Sequence, residues 1–298
     1  MVAAAPPLSV WQVWWSAVRP ATLSASVAPV LTGTAIAIHM GGARWAAGLG
    51  ALVVGVALQL GVNFANDYSD FVRGADKHRL GPVRAASSGI VNPEQVRWAA
   101  VAAFGVAGLA GLALSVAVDL RLLAVGAACL LAGWLYTGGP RPYGYLGLGE
   151  IFVFVFFGLV ATAGTVYVET GRVTALAVLM ACGMGFLATA LLVLNNLRDI
   201  DMDEAAAKRT LATRIGRHRT RILLFLVVCG AFAVPILVLV THLAGVTVML
   251  VHFAIPIAAV PVRTAFATSA APALVGALKR MAVAQLAYAL LFALGVLL

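Results

Sequence analysis

Blocks of apolar residues, each long enough to cross a bilayer, alternate with shorter polar connections along the whole chain. In windows of about 17 to 25 residues the pattern predicts nine membrane-spanning helices, at roughly 22–40, 46–66, 97–118, 120–137, 149–168, 173–195, 221–241, 245–262 and 280–298. The blocks are too long and too evenly apolar for tilted barrel strands of about 10 residues with alternating faces. Helices are then the remaining way to satisfy every backbone N–H and C=O in lipid. The expected architecture is an all-α integral membrane protein, with residues 1–298 forming a single multi-pass domain of nine transmembrane helices.

Composition fits this reading, since 62% of the 298 residues are hydrophobic and only 10% charged, more apolar surface than one soluble core can bury. Charge then orients the bundle. With nine spans, 17 of the 20 basic residues fall on the side of the N-terminus and of connections 2/3, 4/5, 6/7 and 8/9, leaving Arg44, Arg121 and Arg172 opposite. Such a bias in short loops marks the first side as cytoplasmic, in a cell membrane. A net charge of +9 therefore serves orientation and anionic lipid or substrate, and no nucleic-acid-binding motif accompanies it.

Arg19 is the first basic residue and follows Trp11, Trp14 and Trp15, the reverse of a secretory leader, so no cleaved segment is expected. Those tryptophans recur at i, i+3 and i+4, one face of a helix lying at the lipid headgroups. Cys129, Cys182 and Cys229 stand singly inside spans, without the spacing of a zinc or redox pair, and read as packing residues. None of the five histidines has a second ligand at metal spacing.

Connections 2/3 and 6/7 run to roughly 30 and 25 residues, where about 2 to 8 is usual. The first ends in Asn92-Pro93-Glu94-Gln95, an N-cap, a first-turn proline and a reciprocal cap, which starts span three. Chemistry gathers at these two connections. Asn66-Asp67-Tyr68-Ser69-Asp70 with Asp76, and Asn195-Asn196-Leu197-Arg198-Asp199-Ile200-Asp201-Met202-Asp203, hold six of the eleven acids. Asn66 and Asp70 reappear as Asn195 and Asp199 at one offset of 129 residues, which puts both clusters on the same face of the bundle.

A carboxylate near the bilayer core costs about 2.5 to 3.5 kcal/mol even on the lenient insertion scale, so two clusters at the ends of spans imply a ligand. Asn66 with Asp70, and Asp199 with Asp203, lie one helical turn apart and can aim at one spot. Hard Mg²⁺, held by one or two carboxylates plus substrate phosphates, is that ligand, and two facing clusters form a clamp for a diphosphate. Arg73, Lys77, Arg84, Arg141, Arg198 and Lys208 stand near enough in sequence to neutralise it.

The arrangement resembles the UbiA-type intramembrane prenyltransferases, whose aspartate-rich motifs lie in the loops after helices two and six of a nine-helix bundle. Within that family, Arg19-Pro20-Ala21-Thr22-Leu23, the Asn66–Asp70 stretch with Gly74 and Asp76, Tyr136-Thr137-Gly138-Gly139-Pro140-Arg141-Pro142-Tyr143, Gly149-Glu150 and Lys208-Arg209-Thr210-Leu211-Ala212 are similar to the branch that prenylates 1,4-dihydroxy-2-naphthoate. The resemblance implies transfer of a polyprenyl chain from polyprenyl diphosphate to 1,4-dihydroxy-2-naphthoate with loss of CO₂, giving demethylmenaquinone, with Mg²⁺ as cofactor and the lipid bilayer as partner. It implies Asn66, Asp67 and Asp70 for one Mg²⁺ and Asp199 with Asp203 for the other. Asp76 joins the first set, although Gly74 stands where much of the family has an acid. Asp70, Asp199, Lys208, Arg141 and Tyr136 are then the catalytic candidates. Arg19, Asn63, Arg73, Lys77, Arg84, Tyr143, Asn195 and Arg198 are the candidates for binding diphosphate or acceptor.

An acid at the start of span five, Glu150, can also serve the helix dipole. A different aromatic acceptor, such as 4-hydroxybenzoate, fits the same motifs. A transporter is the rival from another class, but transporters place ionisable residues near the bilayer midplane on broken helices, whereas these acids lie at span ends. Prenyl chain length and oligomeric state are not readable from the chain.

Overall fold

The computed structural model describes residues 8–74 and 83–298. Among them there are helices and no strand. In chain order the helices are α1 (Val10–Val18), α2 (Pro20–His39), α3 (Trp45–Val72), α4 (Pro93–Ala117), α5 (Leu122–Leu135), α6 (Gly149–Val153), α7 (Ala161–Thr170), α8 (Ala175–Ala205), α9 (Leu211–Val240), α10 (Ile255–Ala267) and α11 (Ala271–Leu297). A π-helical stretch, Phe154–Val160, joins α6 to α7 into one rod, and a 3₁₀ stretch, Val246–Ala254, leads into α10.

Eight of these rods are long and apolar enough to cross a membrane. The remaining predicted span, α5, is a shorter apolar helix of 14 residues, about 21 Å long at 1.5 Å per residue. Four ends lie well beyond the apolar windows: α9 starts at Leu211 and α11 at Ala271, and the other two bear on the site. α3 continues to Val72 and α8 to Ala205, so the Asn66–Asp70 and Asn195–Asp203 stretches are helical rather than loops. Polar side chains end an apolar window but not a hydrogen-bonded helix whose inner face remains packed.

α8 is the central rod, and nearly every position from Leu176 to Ile200 on its inner faces is buried. It packs against α9, the π stretch, α11 and α2. Contact with the π stretch is close because two glycines meet there: a Cβ on Gly158 would lie 2.4 Å from Gly185 Cα. π turns widen a helix locally and recur at functional sites, and this one forms a wall of the cavity described below.

α1 starts with a capping box between Ser9 and Gln12. It buries Val13 and Ala17, sets Trp14 edge-on to Phe64 and leaves Trp11 and Trp15 stacked and exposed, as an interfacial helix does. α4 begins at the predicted Asn92–Gln95 capping box.

Candidate active site

The face of α3 that carries Gln59, Asn63, Asn66 and Asp70 recurs every three to four residues and turns inward. Asn63 is a joint. Its Nδ2 donates to Val18 O at 2.8 Å and Thr22 Oγ1 at 3.0 Å, and its Oδ1 accepts from Gln59 Nε2 at 3.0 Å. These bonds fix the corner between α1 and α2, where Arg19 adopts the left-handed conformation, φ 52°. A non-glycine residue held there is strained, and this conformation sets Arg19 in the walls of two adjoining cavities.

The smaller cavity is a polar cup. Arg19, Asn66, Asp70, Arg84, Tyr136, Asn195, Asn196, Asp199, Asp203 and Lys208 line it, so the inner ends of α3 and α8 face each other across one space. The larger cavity, about 430 Å³, is apolar and runs between α2, α3, α4, α5, the α6–α7 rod and α8. Arg19, Asn66, Tyr136 and Asn195 belong to the walls of both and form the neck between them.

Each acid in the cup lies against a basic or phenolic group. Asp70 accepts from Arg84 Nη2 at 3.0 Å and from Tyr145 Oη at 2.9 Å. Arg198 reaches Asp199 through Nε at 2.7 Å and Nη2 at 2.5 Å, and also donates to Asn195 Oδ1 at 2.9 Å. Lys208 Nζ stands 3.7 Å from Asp203. Two cations lie over the Tyr145 ring, Arg73 at 4.9 Å and Lys208 at 5.0 Å from its centre. Burial and the Asp70 charge hold the Tyr145 phenol well above its usual range, and burial with the Glu150 charge does the same at Tyr136.

Several sequence candidates lie elsewhere. Asp67 is fully buried and turns away from the cup, accepting from the N–H groups of Ala85 at 2.9 Å and Ala86 at 3.1 Å. Arg73 donates to Thr137 O and Gly139 O, both at 2.8 Å, and so pins the connection after α5. Tyr143 stacks on Phe152 at 3.9 Å and faces the apolar cavity. Arg141 is exposed and lines neither cavity. Asp201 points outward to Arg217. Asp76 and Lys77 lie outside the described residues. Tyr145 and Asn196 were not singled out from the sequence. The asparagine at i−3 from Asp199 was the signal for Asn196, whereas Tyr145 follows Tyr143 with no pattern of its own.

The donor set suits a hard divalent cation. It consists of carboxylate and amide oxygens, and Asn66 Oδ1 is buried with no hydrogen-bond partner. Among the described residues no three acids, histidines or cysteines converge as a ready-made cluster. This is the situation of Mg²⁺, which demands few protein ligands and completes its shell with water and substrate phosphate.

Fold and site together define a membrane-embedded helical enzyme with a charged polar cup adjoining an apolar cavity, and the chain belongs to the UbiA prenyltransferase family, whose model it matches over residues 26–277. It is 48% identical over 227 residues to the 1,4-dihydroxy-2-naphthoate octaprenyltransferase of Mycobacterium leprae (strain TN), covering 76% of this chain and 77% of that one. To the enzyme of the same name from Mycobacterium tuberculosis (strain ATCC 25618 / H37Rv) it is 49% identical over 210 residues, covering 70% and 72%. A solved UbiA homolog from Archaeoglobus fulgidus bound to GPP and Mg²⁺ shares the fold, with a TM-score of 0.63 at 14% identity over 94% of this chain and 99% of that one.

Proposed function

We propose that this enzyme transfers a polyprenyl group from its diphosphate to 1,4-dihydroxy-2-naphthoate with loss of CO₂, giving demethylmenaquinone in its quinol form. The observation that carries this reading is the neck: one cup lined by acids and bases opens through Arg19, Asn66, Tyr136 and Asn195 into an apolar cavity of about 430 Å³ suited to a prenyl chain. The naphthoate acceptor is supported by the names of the relatives.

Asn66 and Asp70 on α3, with Asp199 and Asp203 on α8, are the residues to hold Mg²⁺. When bound, the metal supplies Lewis-acid neutralisation of the departing diphosphate. Arg19, Arg84 and Lys208 line the same cup and add fixed positive charge there. Asp67, anchored to Ala85 and Ala86, holds the segment that carries Arg84 rather than the cation itself.

Cleavage of the prenyl C–O bond leaves an allylic cation at the neck, and the rings of Tyr143, Phe152 and Phe156 line the apolar cavity that adjoins it. The electron-rich naphthoate ring attacks that carbon. A new C–C bond forms, and the ring–carboxyl bond breaks with its electron pair returning to the ring as CO₂ departs. The apolar walls keep water from the cation. The bias of basic residues supports a cup on the cytoplasmic side of the cell membrane.

The test is to incubate the purified chain with polyprenyl diphosphate and carboxyl-labelled naphthoate. Labelled CO₂ and a lipid quinol are expected. A prenylated product that forms only from 4-hydroxybenzoate, without CO₂ release, would overturn the acceptor.

A further inference from the structure

Glu150 and Asn196 form a buried pair beside the cup that prenyl transfer, as described, does not use. Glu150 stands in the first turn of α6 at 7% exposure, and Asn196 on α8 at 6%. Asn196 Nδ2 donates to Glu150 Oε1 at 3.0 Å. α6 is pressed onto this part of the molecule: a Cβ on Gly149 would lie 3.3 Å from Leu192 and 3.4 Å from Tyr136.

Glu150 Oε1 accepts from the amide NH₂, and that bond fixes which end of the Asn196 amide faces Glu150. Nδ2 is committed to Glu150, and Oδ1 is the polar atom that Asn196 has left to offer. Asn196 lines the cup together with Asp199 and Asp203, at i, i+3 and i+7 on one face of α8. An amide oxygen is a hard ligand that adds no charge to a site already holding three acids.

Building on the prenyl diphosphate reading, we propose that Asn196 presents Oδ1 as a further oxygen ligand to the divalent cation of the cup, and that Glu150 is the positioning residue that keeps the amide in that orientation. With glutamine at 150 the partner both donates and accepts, and the amide can turn its NH₂ toward the cation, which repels it. The pair is otherwise an interhelical clamp between α6 and α8, and the two roles separate experimentally.

Mg²⁺ is titrated calorimetrically into the full chain in lipid nanodiscs with geranyl S-thiolodiphosphate, a donor analogue that does not react. Asn196→Ala and the isosteric Glu150→Gln are each expected to weaken Mg²⁺ binding ~10-fold or more, the range found when partners of metal ligands are removed. The double variant is expected to be no weaker than Asn196→Ala alone, because Glu150 acts through that amide. Variants that melt earlier yet bind Mg²⁺ as the parent does would show a clamp only and overturn the assignment, as would additive effects. Should Asn196→Ala fail to fold, Glu150→Gln alone decides between these outcomes. Failure of the parent chain to bind Mg²⁺ with the analogue would instead sink the prenyl diphosphate reading.

Discussion

Replacing Asp67 by Asn separates anchoring from metal binding inside a single motif. The carboxylate is fully buried and accepts from two backbone N–H groups, those of Ala85 and Ala86, at 2.9 and 3.1 Å. An asparagine keeps one acceptor oxygen and turns its NH₂ on the second N–H, so one charge-assisted bond is lost, worth about 1.5–3 kcal/mol. For a chain of this size each kcal/mol moves the melting midpoint by about 2–4 °C, which gives a fall of about 3–12 °C. The next residue in the anchored segment is Arg84, 3.0 Å from Asp70. Loosening Ala85 and Ala86 should therefore lower the transfer rate through Arg84 while leaving Mg²⁺ affinity within about threefold. Limited proteolysis should find a new cut near residues 83–91, and Mg²⁺ titration with an inert prenyl diphosphate analogue should be near normal. Unchanged melting and proteolysis combined with a tenfold loss of Mg²⁺ affinity would refute the reasoning and return Asp67 to the metal.

Tyr145→Phe removes the donor to Asp70 and should slow transfer about tenfold or more, consistent with about 1.5–3 kcal/mol for a hydrogen bond to a charged group; a rate within twofold of the parent would remove Tyr145 from the site. Arg141→Ala, at an exposed position lining neither cavity, should cost less than about tenfold in rate, and a larger loss would place Arg141 on substrate. Gly126 lines the apolar cavity with open space around its Cβ direction, so Gly126→Leu should fold normally yet slow a long-chain donor more than geranyl diphosphate. Equal slowing of both donors would contradict the assignment of that cavity to the chain. Gly158→Ala, by contrast, drives a methyl to 2.4 Å from Gly185 Cα and should destabilise the bundle by about 1–3 kcal/mol, seen as earlier thermal aggregation in detergent.

Hydropathy located every long helix because lipid exposure imposes apolar side chains wherever the chain crosses the bilayer. It misplaced the inner ends of α3 and α8, since the polar face that turns into the cup looks like a loop when only apolar runs are counted. The spacing Asn66–Asp70 and Asn195–Asp199–Asp203 was legible as two clusters, because one helical turn separates the partners. Which acid faces the cup was not. Asp67 and Asp70 look equivalent in sequence, and only the path of residues 84–86 shows that one meets backbone amides while the other meets Arg84. Arg73 and Arg141 illustrate the same limit: a basic residue near an acidic motif can equally pin a connection or point into solvent, and the choice is made by contacts far apart in the chain.

The central claim is that α3 and α8 grip one diphosphate jointly. It is tested most directly by measuring Mg²⁺-dependent binding of geranyl S-thiolodiphosphate to the parent chain, Asp70→Asn and Asp199→Asn under identical conditions. Loss of binding in each single variant, and in the parent with excess chelator, is the expected result. Full-strength binding by either variant, or by the chelated parent, would contradict it.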